Sequence, residues 1–450
     1  MSNSPDIDTS TRDELIAILD EGERSALTQH VAEYHPADVA DALDLIEEPE
    51  RKLLLFDVLE PVQASEVIRE VDDPTWEVLQ QHLSDGRLSD LLAHLDTDDA
   101  ADLLGQLPAS RQRALLERAS PETRRDLGEL LTYPEDTAGG IMKTEVATVS
   151  VGATVRQITE YLRRKGEQFH DVHNVFVIDT RGRLLGYIAL RRLLLANEDT
   201  IASEIMETDM VSVRAEIDQE EVAHLFEKYD LLSIPVVDSL DRLVGRITVD
   251  DIVDVMQEEA TEDMLRLAGV SGEEIKIVNP LQAVRNRLPW LALNLLTASV
   301  AAATIATFEN TIQAVAVAAA LMTVVASQGG NAGAQTMTLI VRGLALGQIE
   351  PRQVLRILGR ESVVELANGS VLGGIAGAVV YLWRGDAALA LVLAGAMIIN
   401  LQVAAAVGSL VPLALKLIGV DPAVASTVFV TAATDIFGFF IFLGLLSAFV

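Results

Sequence analysis

Residues 423–449 read AVASTVFVTAATDIFGFFIFLGLLSAF. This is one apolar run, longer than the roughly 20 residues a helix needs to cross a bilayer. It holds a single charge, Asp435, twelve residues in. A carboxylate at that depth is expensive in lipid, and it is met where it faces water, an ion or the inside of a bundle. Two readings follow: an ionised group balanced by water and a passing cation, or a protonated acid hydrogen-bonded among helices. No Lys, Arg or His lies deep in the other apolar runs, and Asp435 is expected to be the only ionisable residue deep in any of them.

Four more apolar runs precede it, at 288–308, 312–346, 363–383 and 387–415. Each is long enough to span, so five spans are expected; reading 312–346 as two short segments gives an even count instead. The connections favour five. With the N-terminal half inside, the inner flanks carry Arg285, Arg287, Arg342, Arg352, Arg356, Arg360 and Lys416, and the outer ones Glu309, Arg384 and Asp386. That asymmetry obeys the positive-inside rule and puts the C-terminus outside. The 312–346 run is long for one span and contains SQGGNAGAQT, residues 327–336. Gln328, Asn331 and Gln335 are costly in lipid unless they face protein or water. A kinked or locally unwound segment lining a path is expected, with Gln328, Gly329, Gly330 and Asn331 on it. The alternative is small residues for close helix packing. Thr431, Thr434, Asn400, Gln402 and Asn294 add neutral polar groups to the same interior.

The rest of the chain is soluble in character. The net charge is -33, from 34 basic and 67 acidic residues, and from Arg285 onward eight basic residues meet seven acidic ones. The acid excess therefore lies before that point. Such a surface repels nucleic acid and anionic lipid and attracts cations; adaptation to high salt is a second source of the same pattern. There is no cysteine, which excludes disulfides and thiolate metal sites. The acidic start, MSNSPDIDTSTRDELIAIL, lacks the long apolar run of a secretory signal, so the N-terminal half is expected in the cytoplasm.

Residues 12–131 repeat apolar positions at helical spacing, as in DELIAIL, ADVADALDLI and DDAADLLGQL. Breaks carry Pro36, Pro49, Pro61, Pro74, Pro108 and Pro121, and Ser89 and Asp98 are expected to cap helices. A stack of short helices, superhelical or a plain bundle, is predicted. Residues 141–256 hold a repeat: IMKTEVATVS…NVFVIDTRGRLLGYIAL, then IMETDMVSVR…SIPVVDSLDRLVGRITV. Each copy predicts strand, helix, strand, turn, strand, helix. The pair resembles tandem cystathionine-β-synthase (CBS) domains, whose Thr/Ser-x-x-Asp motif often holds a ribose. The second copy has Thr248 and Asp251, the first Ala189 and Arg192, so the resemblance implies an adenine nucleotide at one site; a capped helix start is the alternative for the same two residues.

The order of parts then resembles one family. An acidic helical domain (1–132), tandem CBS domains (133–256, copies at about 141–200 and 205–256), a plug-like connecting helix (257–284) and a five-helix transmembrane domain (285–450) form the plan of MgtE-type magnesium channels. The stretches that match are YPEDTAGGIM, TVDDIVDV with EEATED, QGGNAGAQT with VRGLALG, LVPLALKLIGVDPAVAS and TDIFG. The resemblance implies a multi-pass protein of the cytoplasmic membrane, a homodimer with the pore at the subunit interface, and no enzyme activity. It places the pore ion at Asp435 and an acid near the cytoplasmic mouth at Asp421. It implies regulatory Mg²⁺ at Asp98, Asp102, Asp218, Glu220, Asp230, Asp251, Asp254, Glu259 and Glu262. Phe437 and Ala334 stand where the family pattern has polar residues, which bears on selectivity.

A lone central carboxylate, or two in a dimer, suits Mg²⁺, which keeps its waters and is commonly held through one or two carboxylates. Mn²⁺ and Co²⁺ are not separated by spacing alone. The acids also suggest a gate. Two unit charges 4 Å apart repel by roughly 4 kcal/mol at an effective dielectric of about 20, so bound Mg²⁺ would draw acidic faces together and close the pore. Other readings are a carrier of another divalent ion and a CBS-regulated membrane sensor without transport. An intramembrane metalloprotease is excluded because all seven histidines precede residue 225.

Overall fold

The computed structural model describes residues 9–21, 24–165, 172–270, 280–424 and 427–449. It forms two compact units, Met1–Met256 and Gln257–Val450.

The first unit opens with short helices: α1 (Thr9–Glu21), α2 (Arg24–Val31), α3 (Pro36–Leu45), α4 (Pro49–Asp57), α5 (Pro61–Glu70), α6 (Asp73–His82), α7 (Asp85–Leu92), α8 (Thr97–Gly105), α9 (Ala109–Arg118) and α10 (Pro121–Leu130). Pro36, Pro49, Pro61 and Pro121 begin their helices. The ring fixes φ near the helical value and removes an amide that the first turn leaves unpaired anyway. Contacts run from α1 to α3, α3 to α5, α5 to α7 and α7 to α9, with α4 on α6 and α8 on α10. That is a stack in layers, the superhelical reading, rather than a plain bundle. Ser84, not Ser89, caps α7, and Asp96, not Asp98, stands at the N-cap of α8. Both expected caps fall inside the helices because each helix starts earlier than its apolar pattern does.

The repeat follows: β1 (Thr148–Ser150), α11 (Val155–Lys165), β2 (Asn174–Ile178), β3 (Leu184–Ala189), α12 (Leu190–Leu195), α13 (Ala202–Ile205), then β4 (Val213–Arg214), α14 (Gln219–Tyr229), β5 (Ser233–Val237), β6 (Leu243–Thr248) and α15 (Val249–Leu267). Each copy is a three-stranded sheet, parallel then antiparallel, ordered β1-β2-β3 and β4-β5-β6. The duplication reaches the register: Val177 faces Gly186 and Val236 faces Gly245, and each sheet has its bulge at the next residue. The turns also match. Asp179 Oδ1 accepts from the Arg181 and Arg183 amides, and Asp238 Oδ1 from those of Leu240 and Arg242. The two copies exchange backbone bonds there, Leu184 N to Asp241 O and Leu243 N to Gly182 O. The core of the second copy, with Phe226, Val236 and Ile247, is continuous with that of the helical stack, whereas the first copy packs its own around Ile158, Val175 and Ile188.

The second unit holds α16 (Pro280–Ala306), α17 (Glu309–Ala314), α18 (Ala318–Ala345), α19 (Val354–Arg384), α20 (Ala387–Leu417) and α21 (Thr427–Phe449). Among the described residues, α16, α19, α20 and α21 are long and apolar enough to cross a membrane. The expected count of five is thus met by four. The remaining candidate, α18, has 28 residues, about 42 Å of helix, but its polar middle separates it from the four. The expected unwinding at 327–336 is not there: α18 is continuous through it, and the break in the 312–346 run lies before Ala318. The connecting helix expected at 257–284 is carried by α15 to Leu267; residues 271–279 fall outside the described ones, and α16 already begins at Pro280.

Candidate functional site

Glycines build the centre of the second unit. A Cβ on Gly329 would lie 2.2 Å from Asn400 Nδ2 and 3.2 Å from Thr434 Cβ, and one on Gly438 would lie 2.8 Å from the same Nδ2. On Gly333 it would meet Val430 Cγ1 at 2.4 Å. Only glycine lets α18, α20 and α21 approach this closely, which is why the run stays helical: its small residues serve packing. Asn400, fully buried, donates from Nδ2 to the Val325 carbonyl at 3.0 Å. Thr434, also fully buried, donates back along its own helix to the Val430 carbonyl at 3.0 Å. Asn400, Gly329 and Thr434 therefore lie in the packed seam, not along an open path as expected.

The polar groups that face outward are different ones. Ser327, Asn331, Gln335 and Thr338 are exposed and recur at helical spacing, a stripe down one side of α18. Gln328 is half-buried at its edge, and a Cβ on Gly330 would come 3.9 Å from Thr431 Cγ2. On α21, Thr431 is exposed and Asp435, one turn on, is half-buried. Among the described residues no hydrogen bond or ion pair engages Asp435. The structure thus brings Gly330, Thr431 and Asp435 to the side of the bundle where the stripe runs.

Asp435 is not the sole acid within the bundle. Glu361 and Glu365, 5% and 3% exposed, lie one turn apart on α19. Thr336 donates to Glu361 at 3.4 Å, Asn368 to Glu365 at 3.5 Å, and Glu365 Oε2 has no partner. Glu361 lies ahead of the apolar run at 363–383 and Glu365 is only its third residue, so neither stands deep in that run, but α19 starts at Val354 and carries both well inside the helix.

At the end of α20, Asp421 accepts from the Ala423 amide at 2.8 Å and pairs with Arg266 of α15, which also pairs with Glu262. Burial would lower the Arg266 pKa, but Glu262 and Asp421 outweigh it and raise it. Two residues expected to take part in ion handling thus share one guanidinium. Nearby Asp263 is raised by burial and by Asp421.

In the first unit the expected metal ligands separate. Asp218 caps the start of α14 and accepts from the Glu220 amide at 2.9 Å; Asp230 ends that helix at φ 51°. Eleven residues of helix keep the two ends apart. Asp102 is exposed on α8 and Asp254 on α15; the latter is raised by burial and by Glu70. Thr248 Oγ1 donates to Asp251 Oδ2 at 2.7 Å, and the Thr248 amide donates to the same oxygen at 3.4 Å, the backbone bond of a capped helix start. Asp98 and Asp251 do meet, around a residue the sequence reading passed over. The Lys143 Nζ lies 3.0 Å from Asp251, 3.4 Å from Asp250, 3.5 Å from Asp96 and 3.9 Å from Asp98. Burial would lower its pKa, yet Asp98 and Asp251 hold it above the ordinary lysine value. Asp96, Asp98 and Asp99 bring oxygens within 4.8 Å of one another, and Asp98 Oδ1 is buried without a partner. The Asp98–Asp251 pair does not fit a divalent ion in this arrangement, because the ammonium already stands between its carboxylates.

Comparison with known proteins accords with this architecture. Family models match in order: the MgtE intracellular N domain at residues 34–136, the CBS domain at 138–199 and 202–258, and MgtE, a divalent cation transporter, at 322–445. The magnesium transporter MgtE of Thermus thermophilus is 35% identical over 94% of this chain and 95% of its own. That of Bacillus subtilis is 29% identical over 99% of both. A crystal structure of the cytosolic domain of the Mg²⁺ channel MgtE in complex with ATP is 37% identical, with a TM-score of 0.51, covering 54% of this chain and 99% of its own. With the soluble domains and the transporter region matched in sequence order and a relative aligned almost end to end, the chain belongs to the MgtE family of magnesium transporters.

Proposed function

We propose that the chain conducts Mg²⁺ across the membrane along the side of the bundle where Asp435 and Thr431 of α21 meet the outward stripe of α18. The protein is a multi-pass magnesium transporter with a cytoplasmic N-terminal half. The observation that carries the path is the stripe itself. Ser327, Asn331 and Gln335 turn away from the protomer's own helices, and lipid offers such groups no hydrogen bonds; Thr338, on the same side, donates to the Ala334 carbonyl of its own helix at 2.9 Å. Water and a second copy of the chain do. A homodimer with the path at its interface satisfies the stripe and sets two Asp435 carboxylates along one passage. This reading makes α18 the fifth span.

Chemically, the passage asks little of the protein. Mg²⁺ sheds water reluctantly, so amides and hydroxyls of the stripe bind its hydration shell while Asp435 supplies the attracting charge. Gly329, Asn400 and Thr434 act one layer back, fixing the angle between α18 and α21. Asp421, held by Arg266, lies at the cytoplasmic end. Regulation by Mg²⁺ draws on Asp102, Asp218, Glu220, Asp230, Asp254 and Glu259, acids that lie outside the Lys143 cluster. An adenine nucleotide at the CBS pair, prompted by the relative crystallised with ATP, would have to compete for Thr248 and Asp251 with their own hydrogen bond.

The test is Mg²⁺ uptake into liposomes by the parent and by Asp435→Ala. The parent should load the vesicles and the variant should lose nearly all uptake while still reconstituting. Equal uptake by the two removes Asp435 from the path.

A further inference from the structure

Lys143 is fixed before its side chain begins. Its amide donates to the Arg246 carbonyl at 2.8 Å and its carbonyl accepts from the Arg246 amide at 2.9 Å, a bridge to β6. From there the side chain, 5% exposed, reaches between two helix starts. Asp96 and Asp98 open α8, and Asp250 and Asp251 open α15. One helix belongs to the stack and the other to the second CBS copy, so one ammonium bridges carboxylates from both. The neighbouring residues close the same junction. Thr97 Oγ1 donates to Glu145 at 2.9 Å, and the Thr144 amide donates to Thr97 Oγ1 at 2.9 Å.

Four carboxylates gathered at one point repel strongly unless a cation stands among them. In a protein that handles Mg²⁺, that cation is expected to come from solution, and the junction would then open when Mg²⁺ is scarce. Here the cation is covalently part of the chain. An ammonium is a compact point charge with three donors, enough to reach several carboxylates, and its local concentration does not vary.

We propose that Lys143 is a built-in counter-ion that holds the α8–α15 junction shut at every Mg²⁺ level, so that this acidic cluster is not one of the chain's Mg²⁺ sensors. The inference rests on the reading that other acids of the cytoplasmic half answer to Mg²⁺, and it narrows where they lie. Lys143→Met keeps the length and apolar stem of the side chain and removes its charge, leaving a cluster that needs a cation from outside.

The experiment is hydrogen exchange on the full chain in detergent micelles, in chelator and in millimolar Mg²⁺, read at residues 97–105 and 249–256. In the parent and in Lys143→Arg, exchange there should be the same in both conditions. In Lys143→Met it should quicken by at least about tenfold in chelator and slow again with Mg²⁺. A parent whose junction opens in chelator overturns the inference, and so does a Lys143→Met variant that stays protected there. If the Met variant does not fold, the parent's response to chelator decides by itself. Liposome uptake keeps the two readings apart. A conducting parent with a chelator-sensitive junction refutes the counter-ion alone, and a non-conducting parent with a closed junction refutes transport alone.

Discussion

Asp44 and Asp72 show how one hydrogen-bonded pair of acids makes stability depend on pH. Both Asp44 oxygens accept from the Asp72 amide at 3.2 Å, and Asp72 Oδ1 accepts from the Thr75 amide at 2.8 Å at the start of α6. Burial, with Asp72 nearby, pushes Asp44 up to about 6. Burial would raise Asp72 too, but its bonds to Thr75 and Asp44 outweigh it and hold it below the usual carboxylate range. The unfolded chain loses the Asp44 proton near pH 4. Between about pH 4 and 6 the folded protein therefore binds more protons, and its stability falls as pH rises through that window. Asp44→Asn removes the effect and keeps an acceptor for the Asp72 amide. Allowing for partial exposure, the variant should gain about 1 kcal/mol at pH 7 and nothing near pH 4. Urea unfolding followed by the fluorescence of buried Trp76, with Trp290 and Trp383 replaced by Phe, measures it. A gain of equal size at both pH values would assign the effect to packing instead.

At the scale of elements, α18 separates two kinds of glycine. Gly329→Ala would drive a methyl into Asn400, which cannot retreat because it is boxed by Gly438 and bonded to the Val325 carbonyl. Overpacking of this sort costs about 1–3 kcal/mol. Gly374 on α19 has open space where a Cβ would go, and alanine is the better helix former by up to about 1 kcal/mol. In detergent, Gly329→Ala should lower the unfolding temperature by several degrees and Gly374→Ala should leave it unchanged or raise it. Similar losses from both would mean that α18 tolerates the methyl no worse than α19. The same helix marks the limit of what the sequence makes legible. In the CBS copies, alternation and turn residues are local signals, so VFVID and IPVVD fall where the strands are. In SQGGNAGAQT the local signal is glycine and amide, which reads as a break. Its actual role depends on Asn400 and Val430, whose nearness no local pattern reveals. Lys143 was hidden for the same reason: its partners lie at 96–98 and 250–251.

At the scale of the whole molecule, the polar stripe of α18 has to find water or protein. The apolar outer faces of the four strongly apolar helices need only lipid, and Ile375 of α19, 57% exposed, is a fair sample of such a face. The absence of cysteine makes the two surfaces separable with single replacements. Asn331→Cys should react with a membrane-impermeant thiol reagent, because the path is wet, and should yield a disulfide-linked dimer under mild oxidation if the stripes of two copies face each other within the reach of a disulfide, about 7 Å between Cα atoms. Ile375→Cys, set in lipid, should do neither. Mg²⁺ in the bath should slow labelling at Asn331→Cys as the ion occupies the path, and should lose that influence when Asp435→Ala is added. If residue 331 proves as inert as residue 375, the stripe is not wetted, α18 does not line a passage, and Asp435 is left facing a surface through which no hydrated ion can come.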